Sequence, residues 1–193
     1  MEDIESYKYK VKPGRETRLY NEWKIMDAAY GAHDEITYII TKRTPLGIPS
    51  SYLIVYNIKT FIGVEEPDEQ GLQKPIFDDC HFLRISIPNN YPSADGGYPV
   101  FRFISDIWHP NVRYFGEFQG HVCLNIHQYG TSTPLAEFVE KIAAYLRYDE
   151  YHAIDSEPFP EDQTVAKWVR EQAEPKGWIK LMKNGEWRME NEQ

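Results

Sequence analysis

Two cysteines and six histidines hold most of the reactive chemistry in this 193-residue chain. A thiolate is a strong nucleophile and a good leaving group, and a nearby imidazole or cation sharpens both properties. Cys123 sits in the run Gly-His-Val-Cys-Leu-Asn-Ile at 120–126, and Cys80 opens the run CHFLRISI at 80–87. For Cys80 the reading is a half-buried strand residue. Cys123 reads either as a buried thiol or as a nucleophile. His121-x-Cys123-x3-His127, with His109 nearby, has the residue types of a zinc site. However, the chain contains neither a Cys-x-x-Cys pair nor the His-x-Glu…Pro-Cys-x-x-Cys signature of zinc deaminases, so no metal is expected. A cysteine hydrolase in which His109 or His152 activates Cys123 is a second option, and spacing does not decide it. No GxxxxGK or GxGxxG loop occurs, so neither a nucleotide nor any other cofactor is expected. The acidic runs 65–69 and Asp155-Ser156-Glu157 read first as solvated loops.

These residues need a scaffold, and the composition supplies one. The chain is 41% apolar and 15% aromatic, with five Trp, nine Phe and fourteen Tyr, which is enough for a core without disulfides or metals. A net charge of −9 argues against nucleic-acid or anionic-membrane binding. The polar, acidic start MEDIESYKYK lacks a leader pattern, and no long apolar run follows, so a cytoplasmic location is expected.

Residues 1–14 alternate and end at Pro13-Gly14, which predicts an edge strand or a flexible arm. Leu19, Trp23, Met26 and Tyr30 fall on one helical stripe within 15–30, with Gly31 at the cap position. Strands are predicted at 35–42, 51–62, 80–87 and 100–107, joined as an antiparallel meander. The stretch from Trp108 to Thr133 has no sustained period, and a loop that long is usually functional. Thr133-Pro134 reads as an N-cap and first helical position ahead of the stripe Leu135, Phe138, Val139, Ile142 and Leu146. Val165, Trp168 and Val169 mark a short helix in 161–172. Asn184-Gly185 between two alternating runs predicts a hairpin over 178–190. The fold class is α+β.

An ordered set of motifs within residues 15–172 resembles the ubiquitin-conjugating enzyme family. Tyr91-Pro92 is similar to the Tyr-Pro after its third strand. Pro99-Val-Phe-Arg-Phe-Ile-Ser-Asp-Ile-Trp-His109-Pro110-Asn111 is similar to its proline, fourth strand and His-Pro-Asn signature. Gly120-His-Val-Cys123-Leu-Asn-Ile126 is similar to the segment carrying the active-site cysteine. The departures are a longer Asn111-to-Cys123 interval, a longer SADGG link, no tryptophan soon after the cysteine, and one clear helix after the central one. They suggest a divergent member, and prokaryotic ubiquitin-like conjugation systems are one place for it.

The resemblance implies an N-terminal helix, a four-stranded meander, an active-site loop and a central helix, to which this chain's own pattern adds a short C-terminal helix and a terminal hairpin. It divides the chain into an arm (1–14), a catalytic domain (15–173) and a hairpin tail (174–193). It implies a transferase that carries a ubiquitin-like modifier as a thioester on Cys123 and passes it to an amine. Asn111 would be the oxyanion donor, or alternatively a loop brace. Glu157 and Asp155 would orient or deprotonate the amine, or else be plain solvated carboxylates. His109, Pro110, Gly120, Tyr91 and Pro92 would be structural; His121 and His152, peculiar to this chain and not implied by the resemblance, are candidate accessory proton acceptors. Expected partners are the modifier, an activating enzyme meeting helix 15–30 through Arg15, Arg18 and Lys24, a protein acceptor and, optionally, a ligase. A non-catalytic binding module of the same fold is the alternative, with the hydrolase behind it.

Overall fold

Hydrophobic period marks most of the elements, and their buried stripes gather into two clusters. The computed structural model describes residues 3–93, 97–124, 130 and 132–183. The helix α1 runs Arg15–Tyr30, and Leu19, Trp23, Met26 and Tyr30 are at most 5% exposed. Strands β1 (Ile36–Arg43), β2 (Pro49–Tyr56), β5 (His81–Ser86) and β6 (Val100–Phe103) pair antiparallel in the order β1-β2-β5-β6. Strict alternation along β2, β5 and β6 points Tyr52, Ile54, Tyr56, Leu83, Ile85, Phe101 and Phe103 to one face. That face buries against α1 and the central helix α2 (Leu135–Leu146). The architecture is therefore α+β, with an N-terminal helix and a four-stranded antiparallel sheet.

The expected single strand at 51–62 is two strands. β2 ends at Tyr56, where the Asn57 amide donates to Glu35 O (2.7 Å). The chain then turns, and β3 (Thr60–Val64) pairs with β4 (Pro75–Asp78) in a separate ribbon. The reason is a second apolar cluster. Phe61 is fully buried there, with Tyr148 (ring centroids 5.0 Å apart) and Trp168 (5.5 Å) edge-on to it.

That cluster also corrects the tail. Residues Trp178–Lys183 form a helix, α4, rather than the first arm of a hairpin, so among the described residues two α-helices follow α2. Trp178 stacks on Trp168 at 5.9 Å and Ile179 is buried beside it, so tertiary packing overrides the alternating pattern. Asn184-Gly185 lies outside the described residues. The helix before it, α3 (Gln163–Trp168), widens at its end, where the Glu174 amide reaches back five residues to Val169 O (2.9 Å).

The N-terminal arm is not a strand. Ile4–Tyr7 form a 3-10 turn, and Tyr7 packs edge-on to Trp23 at 5.3 Å. The α2 cap also differs from expectation. The helix starts at Leu135, and neither Thr133 nor Pro134 caps it with a side chain. The Leu135 amide donates instead to Glu22 Oε2 (2.7 Å), a carboxylate on α1. Proline at the cap position cannot donate or accept through its side chain, so the neighbouring helix supplies the acceptor.

Candidate active site

The irregular stretch around Cys123 is a hairpin anchored on the sheet. The Cys123 amide donates to Asn111 O (2.8 Å), Arg113 N to His121 O (2.9 Å), and Gly120 N to Arg113 O (2.7 Å). Val112 and Val122 form the bridge at its centre. The return arm lies along β6, with Phe103 N donating to Gly120 O (2.8 Å) and Val122 N to Phe101 O (3.3 Å). Arg102 from β6 clamps the turn by donating to Gln119 O and Glu117 O (2.8 and 2.9 Å). Gly120 is required twice over. Its φ is +81°, and a Cβ there would stand 2.2 Å from Phe103 O.

Alternation then sorts the hairpin's side chains. Val112 and Val122 are buried, and the residues flanking them belong to the other face. Arg113, His121 and Cys123 therefore share one face, with Cys123 half-buried, and Asn111 stands opposite Cys123 in the buried turn. The ladder thus joins the cysteine and the asparagine of two motifs that stand 12 positions apart in the chain.

The His-Pro-Asn turn is locked from beneath. His109 is fully buried, and its Nδ1 accepts from the Asn111 amide (3.1 Å). With Nδ1 an acceptor, Nε2 carries the proton and donates to Glu150 O (3.2 Å). Burial pushes its pKa down to about 3, so the ring is neutral. Tyr145 stacks on it at 5.1 Å and donates its hydroxyl to Cys123 O (3.4 Å). Pro110 O accepts from the Asp162 amide (3.0 Å). Asn111, only 6% exposed, accepts the His152 amide on Oδ1 (2.9 Å), which leaves its Nδ2 donors for a further partner.

The loop after α2 starts from that contact. His152 is half-buried and its Nε2 bonds Pro158 O. Asp155 and Glu157 are exposed farther along, and Asp155 lies 3.8 Å from Arg170. They are not drawn into the buried set around Asn111. His121 is exposed, and its Nδ1 stands 3.4 Å from Glu161 Oε1, which Arg113 Nε also approaches at 3.4 Å. Partial burial works to raise the Glu161 pKa, but His121 and Arg113 hold it below the usual carboxylate value.

Tyr91 and Pro92 stand at the opposite end of α2. The Tyr91 hydroxyl donates to Glu22 Oε1 (2.6 Å), and Glu22 pairs with Arg18 at 2.6 Å. Arg18 also donates to Ser132 O and Thr133 O (3.1 and 2.8 Å). Arg15 donates to Pro88 O, and Lys24 pairs with Glu5 at 2.5 Å. All three cations expected to form a docking face are therefore bonded within the chain.

Cys80 is half-buried in the turn just before β5, where its amide donates to Asp78 Oδ1 (3.3 Å). His127, of the His121-x-Cys123-x3-His127 pattern, lies outside the described residues, as do Asn125 and Ile126. Among the described residues no three metal-ligating side chains stand together.

Three residues escaped the sequence reading. Tyr145 is three positions beyond Ile142 on the α2 stripe, and its helical spacing reads only as core. Asp162 is buried, caps α3 through Thr164 N and Val165 N, and takes the Tyr114 amide on Oδ2 (2.9 Å). An Asp just before a helix is a cap signal that was legible in Asp162-Gln163-Thr164-Val165. Glu22 gives no such signal, because its helix lies 113 residues away in sequence.

No protein-family profile matches the chain. It is 32% identical over 87 residues to ubiquitin-conjugating enzyme E2 7 of Triticum aestivum, covering 45% of each chain. The chain therefore spans under half the length of that curated relative. Among solved structures it is similar to the ubiquitin conjugating enzyme E2 UbcA1 of Agrocybe aegerita. That similarity covers 80% of this chain and 92% of the other, at 14% identity and a TM-score of 0.46.

Proposed function

We propose that this chain, a divergent relative of the ubiquitin-conjugating enzymes, carries a ubiquitin-like modifier as a thioester on Cys123 and transfers it to an amine. The observation that carries this reading is the ladder pairing Asn111 O with Cys123 N, because it holds a half-buried cysteine opposite the asparagine of the His-Pro-Asn turn.

In the first step the Cys123 thiolate attacks the modifier's C-terminal carbonyl, held as a thioester on an activating enzyme; the new C–S bond forms, the old one breaks, and the activating enzyme's thiolate leaves. In the second an amine attacks the thioester carbonyl, the C–N bond forms, the C–S bond breaks, and the amine proton leaves. A thioester suits this because its carbonyl is open to amines and its sulfur departs readily. The tetrahedral intermediate bears an oxyanion, and Asn111 Nδ2 is the neutral donor for it. A donor of this kind is worth roughly 3–4 kcal/mol in comparable acyl transfers. The bond from the His152 amide to Oδ1 supports the amide in that orientation.

Glu157 and Asp155, exposed on the following loop, are the carboxylates that would meet an incoming amine. His121, tethered by Glu161 on the Cys123 face, is a further proton acceptor, and His152 is tied to its own loop. With Arg15, Arg18 and Lys24 bonded internally, an activating enzyme would meet the outward stripe Asn21, Ile25 and Ala28 of α1. The modifier, the acceptor and a ligase are the partners of this reading. A hydrolase is disfavoured, because both ring nitrogens of His109 are committed elsewhere.

The test combines the chain with a matched activating enzyme, modifier and ATP. A thiol-sensitive adduct on a non-reducing gel and by intact mass is expected in wild type and Cys80→Ala, and absent in Cys123→Ala. No adduct with a competent activating enzyme overturns the reading in favour of a binding module. Loss with Cys80→Ala alone overturns the assignment of the nucleophile.

A further inference from the structure

The second apolar cluster opens to solvent through a cleft of about 560 Å³, formed where the hairpin, the end of β3 and α3 meet. Its floor is aromatic. Trp108 and Trp168 are each 4% exposed and cross at 80° with centroids 6.0 Å apart. Tyr114 and Phe115, from the segment that lengthens the Asn111-to-Cys123 interval, stand edge-on to Trp108 at 4.7 and 6.1 Å. Phe115 is 52% exposed, a large ring left facing the opening. The volume falls within the range of small-ligand sites.

The rim is acidic. Glu65 and Glu66 follow β3, and Glu171 stands on the extension of α3; all three are exposed. None of the three forms an ion pair among the described residues. Lys167 lines the same rim, so the lining charge is −3 + 1 = −2. The walls are pinned to each other. Trp168 Nε1 donates to Gln73 O (3.0 Å), and the Gln73 amide donates to Gln172 Oε1 (2.8 Å). The cleft is therefore preformed and needs little ordering on binding.

We propose that this cleft docks an arginine side chain presented by a segment of a partner protein. A guanidinium is planar and weakly hydrated, stacks on aromatic faces, and forks onto carboxylates. Lysine presents a compact, strongly hydrated charge that gains less from the rings. An acidic partner is repelled by Glu65, Glu66 and Glu171, and a purely apolar one leaves three carboxylates partly desolvated. The net charge of −9 adds long-range attraction for the same class of partner. This site is independent of Cys123 and adds a second point of recognition on the flank of the hairpin.

The experiment titrates the full chain carrying Cys123→Ala, in which no thioester can form, with acetyl-Gly-Arg-Gly-amide. Indole N–H resonances of Trp108 and Trp168 report occupancy. A saturable shift is expected with a Kd on the order of 1 mM, weakening as salt rises. The lysine peptide should bind several-fold more weakly, and the uncharged citrulline peptide should leave the resonances unmoved. The triple variant Glu65→Gln, Glu66→Gln, Glu171→Gln alters exposed side chains only and should lose roughly tenfold in affinity. Phe115→Ala should weaken binding without touching the charges. The proposal is overturned if citrulline binds as well as arginine, if the triple variant binds like wild type, or if neither indole moves. The adduct assay on Cys123 is unaffected by any of these outcomes.

Discussion

Two buried carboxylates organise opposite ends of this molecule in different ways. Glu22, 1% exposed, is an ionic hub: it pairs with Arg18, takes the Tyr91 hydroxyl, and caps α2 through the Leu135 amide. Asp162, 3% exposed, accepts three backbone amides, from Thr164, Val165 and Tyr114. The first joins segments distant in sequence and includes a cation. The second tightens a local cap, reaches one hairpin residue, and stands beside a turn held by a neutral imidazole. A charge set among charges is costly to break from either side, whereas a charge held by peptide dipoles tolerates an uncharged substitute of the same shape.

The sharpest way to break the comparison is Glu22→Ala. It takes the counter-ion from the partly buried Arg18, the acceptor from the Leu135 amide and the acceptor from the Tyr91 hydroxyl proton. A loss of roughly 3–5 kcal/mol is expected in urea unfolding. A loss within error would remove the ionic hub from the account.

Acid probes the other end. His109 has its folded pKa pushed by burial to about 3, below the ordinary 6.5. Between those values the unfolded chain binds a proton that the folded chain refuses, so stability falls as pH drops below 6.5. The slope is about 1.4 kcal/mol per pH unit, or about 2 kcal/mol lost by pH 5. Unfolding midpoints between pH 7 and 5 read this directly, and His109→Gln should flatten that part of the profile.

The mildest expected effect is that of Asp162→Asn. Asparagine caps helices as well as aspartate does, so only the Tyr114 contact and the charge are lost. About 1 kcal/mol is expected, with hydrogen exchange speeding at Tyr114 and unchanged at Val165. Equal speeding at both amides would mean that cap and tether are one unit.

What was legible in the sequence follows the same division between local and distant. The bounds of α1 at 15 and 30 are written in its own stripe and flanking glycines, and the four-stranded sheet in the alternation of its strands. The break at Tyr56 was not legible, because 51–62 is uniformly strand-like and only the competing cluster around Phe61 splits it. Nor was α4, whose alternating letters carry a tryptophan that finds Trp168. At the site, the motif residues were visible as letters, but the hairpin joining them was not. It is a ladder of very few pairs, too short to leave a period. Tyr145 and Glu22 were hidden for a related reason: a helical stripe announces burial, not which polar atom at its edge will meet a partner far along the chain.

The hairpin between Asn111 and Cys123 also separates length from position. Its paired stem sets where the thiol sits, and its tip at Gly116 (φ +81°) has open space around it. Residues added or removed at that tip leave the stem's pairing intact, since loop length is cheap once the ends are fixed. The segment is a natural graft point, where a reporter or a foreign recognition loop can be carried beside the cysteine without re-engineering the fold beneath it.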